Sequence, residues 1–236
     1  DNPELYFQVK TYTGTGSSNA ITLDGDEDMQ PDWVWIKKRN GATHHNIFDS
    51  VRGTTQTLYS NLNEGQSAES NALTAFSSDG FTVGSYGEVN NSSDTFVAWC
   101  WKAGGSSSSN SDGSVTSTVS ANTTLKFSIS RFTGTGSNLT IGHGLGVKPD
   151  FIILKCDSSN GTDWTCYSSS LGATKRIKLN ATDASSTNST TWQDTEPTTS
   201  VISVGTSGDV NVSSGTHIVY SFANIQGAVK CGSYTG

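Results

Sequence analysis

Tyr12-Thr13-Gly14-Thr15-Gly16-Ser17 is written twice in this chain: Phe132-Thr133-Gly134-Thr135-Gly136-Ser137 restates it, and Ser233-Tyr234-Thr235-Gly236 begins it again. The segments downstream of each copy also correspond. Pro31-Asp32-Trp33-Val34-Trp35-Ile36-Lys37 matches Pro149-Asp150-Phe151-Ile152-Ile153-Leu154-Lys155, and Phe81-Thr82-Val83-Gly84 matches Ile202-Ser203-Val204-Gly205. Gly53 falls on Gly172, and Val89-Asn90 on Val210-Asn211. A fixed order of matching segments is the signature of one structural unit copied in tandem. The spacing is too long for a solenoid turn. Each copy is therefore expected to be a small domain of about 100 residues, enough for one modest core.

The fold class follows from the runs between the turns. Phe7-Gln8-Val9 and Phe127-Ser128-Ile129 alternate apolar with polar, as a half-buried strand does, and lead into the glycine turn. Pro31 and Pro149 head apolar runs, the one strand position where a missing N–H costs little. Trp33–Ile36 and Phe151–Leu154 are apolar on both faces, so this strand is expected to be central and covered on each side. Asn40-Gly41 and Ser159-Asn160-Gly161 then predict a hairpin in each copy. In the last strand Ile218, Tyr220 and Phe222 alternate with His217, Val219 and Ser221, which assigns Val97, Trp99 and Trp101 of the first copy to the inward face. No segment carries a helical stripe with caps.

The resulting expectation is an all-β chain of two tandem β-sandwich modules, jelly-roll or lectin-like, joined by a Gly/Ser-rich linker. The modules span 5–103 and 114–232, the linker 104–113, and 233–236 open a third copy. Only 33% of residues are hydrophobic, but six Trp and seven Tyr add large buried areas, so a folded core is expected. The formal charge of −7 with no basic patch argues against nucleic acid as a partner. No window approaches the length of apolar chain that spans a bilayer, so no membrane insertion is expected.

Chemistry is sparse. Asp24-Gly25-Asp26-Glu27-Asp28 alternates carboxylates that can converge on calcium, which takes six to eight oxygens. The EF-hand pattern fails, because Met29 stands where Gly is needed and Trp35 where Glu is needed. A solvated acidic turn is the plainer reading, with Asp24, Asp26 and Asp28 as the metal candidates if there is one. Cys100 and Cys231 look like small core residues. Cys156 and Cys166 flank a hairpin turn, where a disulfide is open, although reduced thiols are the default without an export signal. His44-His45 reads as a loop. No Ser, His and Asp arrangement or Gly-x-Ser-x-Gly turn is present, and Asp49 and Asp94 are not evidently paired for glycoside hydrolysis. The chain is expected not to be an enzyme. Trp164 and Trp192 lie in loop-like contexts and are the glycan-stacking candidates, with burial as the alternative.

Tyr12 to Ser17, the run Leu23-Asp24-Gly25 through Met29-Gln30-Pro31-Asp32-Trp33, Phe48-Asp49-Ser50-Val51-Arg52-Gly53, Ser78-Asp79-Gly80-Phe81 and Val97-Ala98-Trp99-Cys100-Trp101-Lys102 together resemble repeat modules of tailed-phage virion proteins. Such modules occur in tail-fibre-like and other structural proteins of marine, especially cyanobacterial, phages. The resemblance covers both copies and is closer in the first. It implies a virion component, assembled in the host cytoplasm with other virion proteins, that displays β-domains to a host-surface glycan or receptor. The habit of phage fibres adds a possible homotrimer. Capsid decoration is the alternative, and a polysaccharide-degrading tail enzyme a second one.

Overall fold

The structure, a computed structural model, describes residues 2–234; Thr235 and Gly236 of the third copy lie outside the described residues. Strands make up 41% of the chain and helix 5%, in several open sheets, so the protein is all-β. The chain divides into two compact units, 1–62 with 66–105 and 63–65 with 106–236.

In the first unit the strands are β1 (Phe7–Thr13), β2 (Asn19–Thr22), β3 (Trp33–Lys38), β4 (Asn46–Asp49), β5 (Gly53–Tyr59), β6 (Ser67–Ala68), β7 (Leu73–Ser77), β8 (Gly80–Val83) and β9 (Thr95–Trp101). A 3-10 turn, Pro3–Leu5, precedes β1, and a short α-helix, α1 (Gly87–Asn90), precedes β9. A six-stranded sheet runs β1-β9-β3-β4-β5-β6, and a three-stranded sheet runs β2-β8-β7. The core draws Tyr12, Val34, Ile36, Phe48, Phe96, Ala98 and Cys100 from the larger sheet and Ile21, Leu73, Phe81 and Val83 from the smaller. The central strand expected at Trp33 is β3, which lies between β9 and β4.

The second unit holds β10 (Ser108–Asn110), β11 (Ser117–Asn122), β12 (Phe127–Thr133), β13 (Leu139–Gly142), β14 (Phe151–Cys156), β15 (Thr165–Ser168), β16 (Lys175–Lys178), β17 (Ser186–Thr187), β18 (Val201–Val204) and β19 (Thr216–Phe222). Among its described residues the α-helix is α2 (Ser189–Trp192). An eight-stranded sheet runs β10-β11-β12-β19-β14-β15-β16-β17, and β13 pairs with β18. From β12 to β17 this order repeats that of β1 to β6, with β19 in the place of β9. Phe132, Ile152, Leu154, Tyr167 and Val219 meet Leu139, Ile141, Ile202 and Val204 in the core.

Two expectations are corrected. Phe96, Ala98 and Cys100 face the first core, which puts Val97, Trp99 and Trp101 on the opposite face of β9. The expectation rested on the alternation in β19, where both faces are buried from His217 through Phe222. Apolar alternation in a strand covered on both sides does not say which side is the core. Second, the Gly/Ser-rich stretch 104–113 is not all linker. Ser108–Asn110 form β10, paired with Ser117–Val119 as the edge of the second sheet. An exposed edge strand needs no buried side chain, and so serine and asparagine suffice.

Candidate functional site

The repeated glycine turn is held by a buried asparagine, in the same way in both units. Asn90 Oδ1 accepts the Thr15 N–H at 2.9 Å, and its Nδ2 donates to Ser17 O at 2.5 Å and Gly84 O at 2.6 Å. Asn211 Oδ1 accepts the N–H groups of Thr135 and Gly136 at 2.8 and 3.1 Å, and its Nδ2 donates to Ser137 O and Gly205 O, both at 2.7 Å. Neither asparagine is more than 2% exposed. The close approach explains the first glycine of each turn. A Cβ on Gly14 would sit 2.2 Å from Asn91 O, and one on Gly134 2.4 Å from Val212 O.

The Pro-Asp pairs form a second duplicated device. Asp32 Oδ2 accepts the N–H groups of Ala103 and Gly105 at 2.8 and 3.1 Å, which ties down the chain leaving β9. Asp150 Oδ2 accepts the Asn224 N–H at 2.8 Å as the chain leaves β19. Burial pushes the Asp32 carboxyl above its usual range, against the hydrogen bonds from Ser50, Gly105 and Ala103 and the charge of Lys102. The matched lysines brace their hairpins alike. Lys37 Nζ donates to Lys38 O at 2.8 Å and Gly41 O at 3.2 Å; Lys155 Nζ donates to Cys156 O at 2.9 Å and Thr162 Oγ1 at 2.6 Å. Burial lowers Lys155 to about 8, although Cys156, Asp157, Asp163 and Asp209 oppose the shift.

The stacking candidates do not face outward. Trp164 is 0% and Trp192 1% exposed. Trp192 ends α2 and meets Tyr167 edge-on at 6.2 Å, while Trp164 stacks with Tyr220 at 6.5 Å. A sugar platform needs an open ring face, which neither has. Asp24, Asp26 and Asp28 are exposed, but internal bonds organise their turn. Lys10 Nζ pairs with Asp24 Oδ1. Gln8 Oε1 accepts the Gly25 N–H, and Gln8 Nε2 donates to Glu27 O, each at 2.9 Å. Among the described residues no group of three or more His, Cys, Asp or Glu is arranged to hold a metal ion.

All four cysteines are free thiols. Cys166 lies across from Ile153 and Cys156 across from His217, so the hairpin does not bring the two together. Cys100 is in the first core as expected, but Cys231 is half-buried outside any strand. His44 Nδ1 lies 3.1 Å from Asn61 Nδ2. Asp49 is bound by Arg52 Nε at 2.5 Å with both side chains buried, and Asp94 by Lys38 at 2.7 Å.

Sequence reasoning missed an aromatic row on the face of the first sheet opposite the core. Phe7 meets Trp101 at 4.8 Å, Trp101 meets Trp33 at 4.5 Å, Trp33 meets Trp35 at 5.7 Å, and Trp35 meets Trp99 at 6.3 Å. Trp35 and Trp99 are half-buried, and Val9 beside them is 45% exposed. The signal was there in Trp33-Val34-Trp35 and Trp99-Cys100-Trp101, whose spacing of two puts each pair of indoles on one face. It also missed Glu196, which binds the Tyr167 hydroxyl, Lys148 Nζ at 2.7 Å and the Ala173 N–H at 2.7 Å. Burial works against the charge of Glu196, but these three partners outweigh it and hold the carboxyl below its usual range.

A family model described as Domain of unknown function (DUF7483) matches residues 2–236. No curated protein and no solved structure matches the chain.

Proposed function

We propose that this chain, which belongs to the family described as Domain of unknown function (DUF7483), is a pair of tandem β-sandwich modules of the jelly-roll or lectin-like kind that serves without catalysis in a tailed-phage virion, where it attaches to a host-surface glycan. The observation that carries the reading is the asparagine clasp, built twice from the same residues. The most strongly repeated residues of the chain are spent on holding a scaffold, as a display array requires. The matching strand orders of the two larger sheets support the tandem sandwich. Asp49 and Asp94, the carboxylates nearest to a hydrolytic reading, are each committed to a cation of the scaffold. Half-buried indoles within reach of a sugar on the face of the first sheet opposite the core are Trp35, Trp99 and Trp101. Tethered weak sites raise avidity by roughly 10²–10⁴ when geometry allows joint engagement, and this is what tandem or trimeric display would supply.

The test is binding of the chain to extracted host envelope polysaccharide, with release of reducing ends followed in parallel. Saturable binding without release supports attachment. Release of reducing ends would make the chain a tail enzyme, and failure to bind would leave capsid decoration.

A further inference from the structure

The chain has two Asn-Gly turns, Asn40-Gly41 and Asn160-Gly161, and they are held differently. An asparagine followed by glycine is open to attack by the chain itself, because glycine bends freely and has no side chain to shield its nitrogen. Whether the reaction runs depends on what engages that nitrogen and how the amide is held.

Between β3 and β4 the groups are set for it. Asn40 and Gly41 are exposed, and among the described residues the Gly41 N–H has no hydrogen-bond partner. Asn40 Oδ1 accepts the Thr95 N–H at 3.1 Å, and Nδ2 donates to Asp94 Oδ1 at 3.2 Å. The Thr95 N–H therefore points at the oxygen on which charge develops when Cγ is attacked. Lys37 Nζ donates to Gly41 O at 3.2 Å. Lys38, paired with Asp94, packs so close that a Cβ on Gly41 would lie 3.1 Å from its Nζ. Two ammonium groups beside Gly41 favour the anionic form of its amide, which is the attacking species.

The second turn is locked. Gly161 N–H donates to Asn63 O at 2.8 Å, and Asn160 Oδ1 accepts the Gly65 N–H at 2.7 Å, all within the second unit. Its nitrogen must break a hydrogen bond before it can attack. The structural counterpart of Asn40 is not an amide at all. Ser158 Oγ accepts the Thr216 N–H at 2.9 Å, just after Asp157 N–H bonds Thr216 O, as Arg39 N–H bonds Thr95 O just before Asn40.

We propose that Asn40 is a self-modification site, which converts through a cyclic imide with Gly41 to aspartate and isoaspartate and so loosens the β3–β4 loop, while Asn160 stays intact. The Gly41 nitrogen gives its proton to hydroxide and bonds to Asn40 Cγ. The Cγ–Nδ2 bond breaks, and ammonia leaves with a proton from water. Water then opens the imide on either side of the Gly41 nitrogen. Breaking its bond to Cγ leaves aspartate; breaking its bond to the Asn40 main-chain carbonyl leaves isoaspartate, with the backbone one carbon longer. Either product sets a carboxylate beside Asp94 in place of the Nδ2 donor. Nothing in this chemistry depends on attachment to a glycan.

The test is to hold the full chain in mildly alkaline buffer at body temperature and follow its tryptic peptides by mass spectrometry, which detects and localises the gain of amide-to-acid conversion. The chain unfolded in guanidinium gives the unrestrained rate of each site. Asn40 is expected to convert in the folded chain at least as fast as in the unfolded one, and Asn160 at least tenfold more slowly. Asn40→Ser, which copies Ser158 and keeps an acceptor for Thr95, should remove the gain at this site. Amide exchange at Thr95 should quicken at least tenfold in the converted chain and stay unchanged in Asn40→Ser held for the same time. Conversion of Asn40 at least tenfold slower in the folded than in the unfolded chain overturns the proposal, as do equal rates at the two sites in the folded chain. Thr95 protection that survives conversion overturns the loosening.

Discussion

His217 lies flat against Phe132, with ring centroids 4.9 Å apart and planes 18° from parallel. The first unit has Phe96 against Tyr12 at the same ladder positions, at 5.2 Å and 17°. The two pairs share out one polar tether differently. Tyr12 donates its hydroxyl to Val89 O at 2.6 Å, just before the clasp asparagine. Phe132 has no hydroxyl, and the stacked ring supplies the tether instead: His217 Nε2 accepts the Val212 N–H at 3.1 Å, just after Asn211. Nδ1 faces Gly215 O at 3.1 Å and therefore carries the proton.

This arrangement makes the second unit sensitive to acid. Burial depresses His217 from 6.5 to about 4; Asp157 and the Gly215 carbonyl oppose the shift and Lys155 adds to it. The native pKa lies below the unfolded one, so the unfolded state takes up the proton first. The stabilisation is fully present above the unfolded pKa and is lost as pH falls toward about 4, in total about 3 kcal/mol. His217→Phe, which copies Phe96, should flatten the dependence of the denaturation midpoint on pH between 7 and 4. His143 is also buried with a lowered pKa, so the difference between variant and parent is the quantity to compare. Identical slopes would refute the assignment.

Removing the clasp should cost more than an ordinary polar substitution. Asn90→Ala and Asn211→Ala each strand several backbone groups, for a loss of about 2–4 kcal/mol. Amide exchange should speed up at Thr15 in the first variant and at Thr135 in the second. Asn→Asp keeps the acceptor but sets a buried carboxylate oxygen against the two carbonyls that Nδ2 serves, and should cost at least as much as alanine. If the amides keep parental protection in both alanine variants, the clasp is not what holds the turns.

Two glycines of the first unit separate a steric requirement from a conformational one. Gly53 has φ +90, and a Cβ added there would meet nothing within 4 Å, so Gly53→Ala suffers only backbone strain, about 1–2 kcal/mol. Gly14→Ala drives its methyl to 2.2 Å from Asn91 O and 2.9 Å from the Phe96 ring, and should destabilise by at least about 3 kcal/mol. Thermal or urea unfolding of the pair would reveal the order. A milder effect at Gly14 than at Gly53 would mean that the 90–91 segment gives way freely.

These residues also mark how far the sequence could be read. The glycine turns, Pro31 and Pro149, and the central strands were legible because each answers a local backbone demand at a fixed offset. The partner of each turn, Asn90 or Asn211, was visible only as a matching residue, because its bonds span more than 70 positions. The inward face of β9 was misread because both sides of its counterpart β19 are covered. Trp164 and Trp192 looked available because burial by a distant segment leaves no mark on the local composition.

Gln8 is the residue on which the acidic turn depends, and the last prediction separates it from a cation. Its amide is 6% exposed and bonds Glu4 O, Glu27 O and the Gly25 N–H, each at 2.9 Å. Gly25 packs so closely that a Cβ would lie 2.6 Å from Gln8 Nε2. Gln8→Ala should therefore loosen residues 24–28 and cost about 1–3 kcal/mol, seen as faster exchange at Gly25 and a lower first transition. Calcium that bound the native turn alone would raise stability by RT ln(1 + [L]/Kd), a gain confined to the first unit, because His143 and its glycine neighbours replace the carboxylates in the second. With Asp24 paired to Lys10 and the turn set by Gln8, millimolar calcium is expected to leave both transitions where they are and not to rescue Gln8→Ala. A calcium-dependent rise of the first transition, lost when Asp24, Asp26 and Asp28 are all changed to Asn, would show instead that Lys10 yields its carboxylate to the cation.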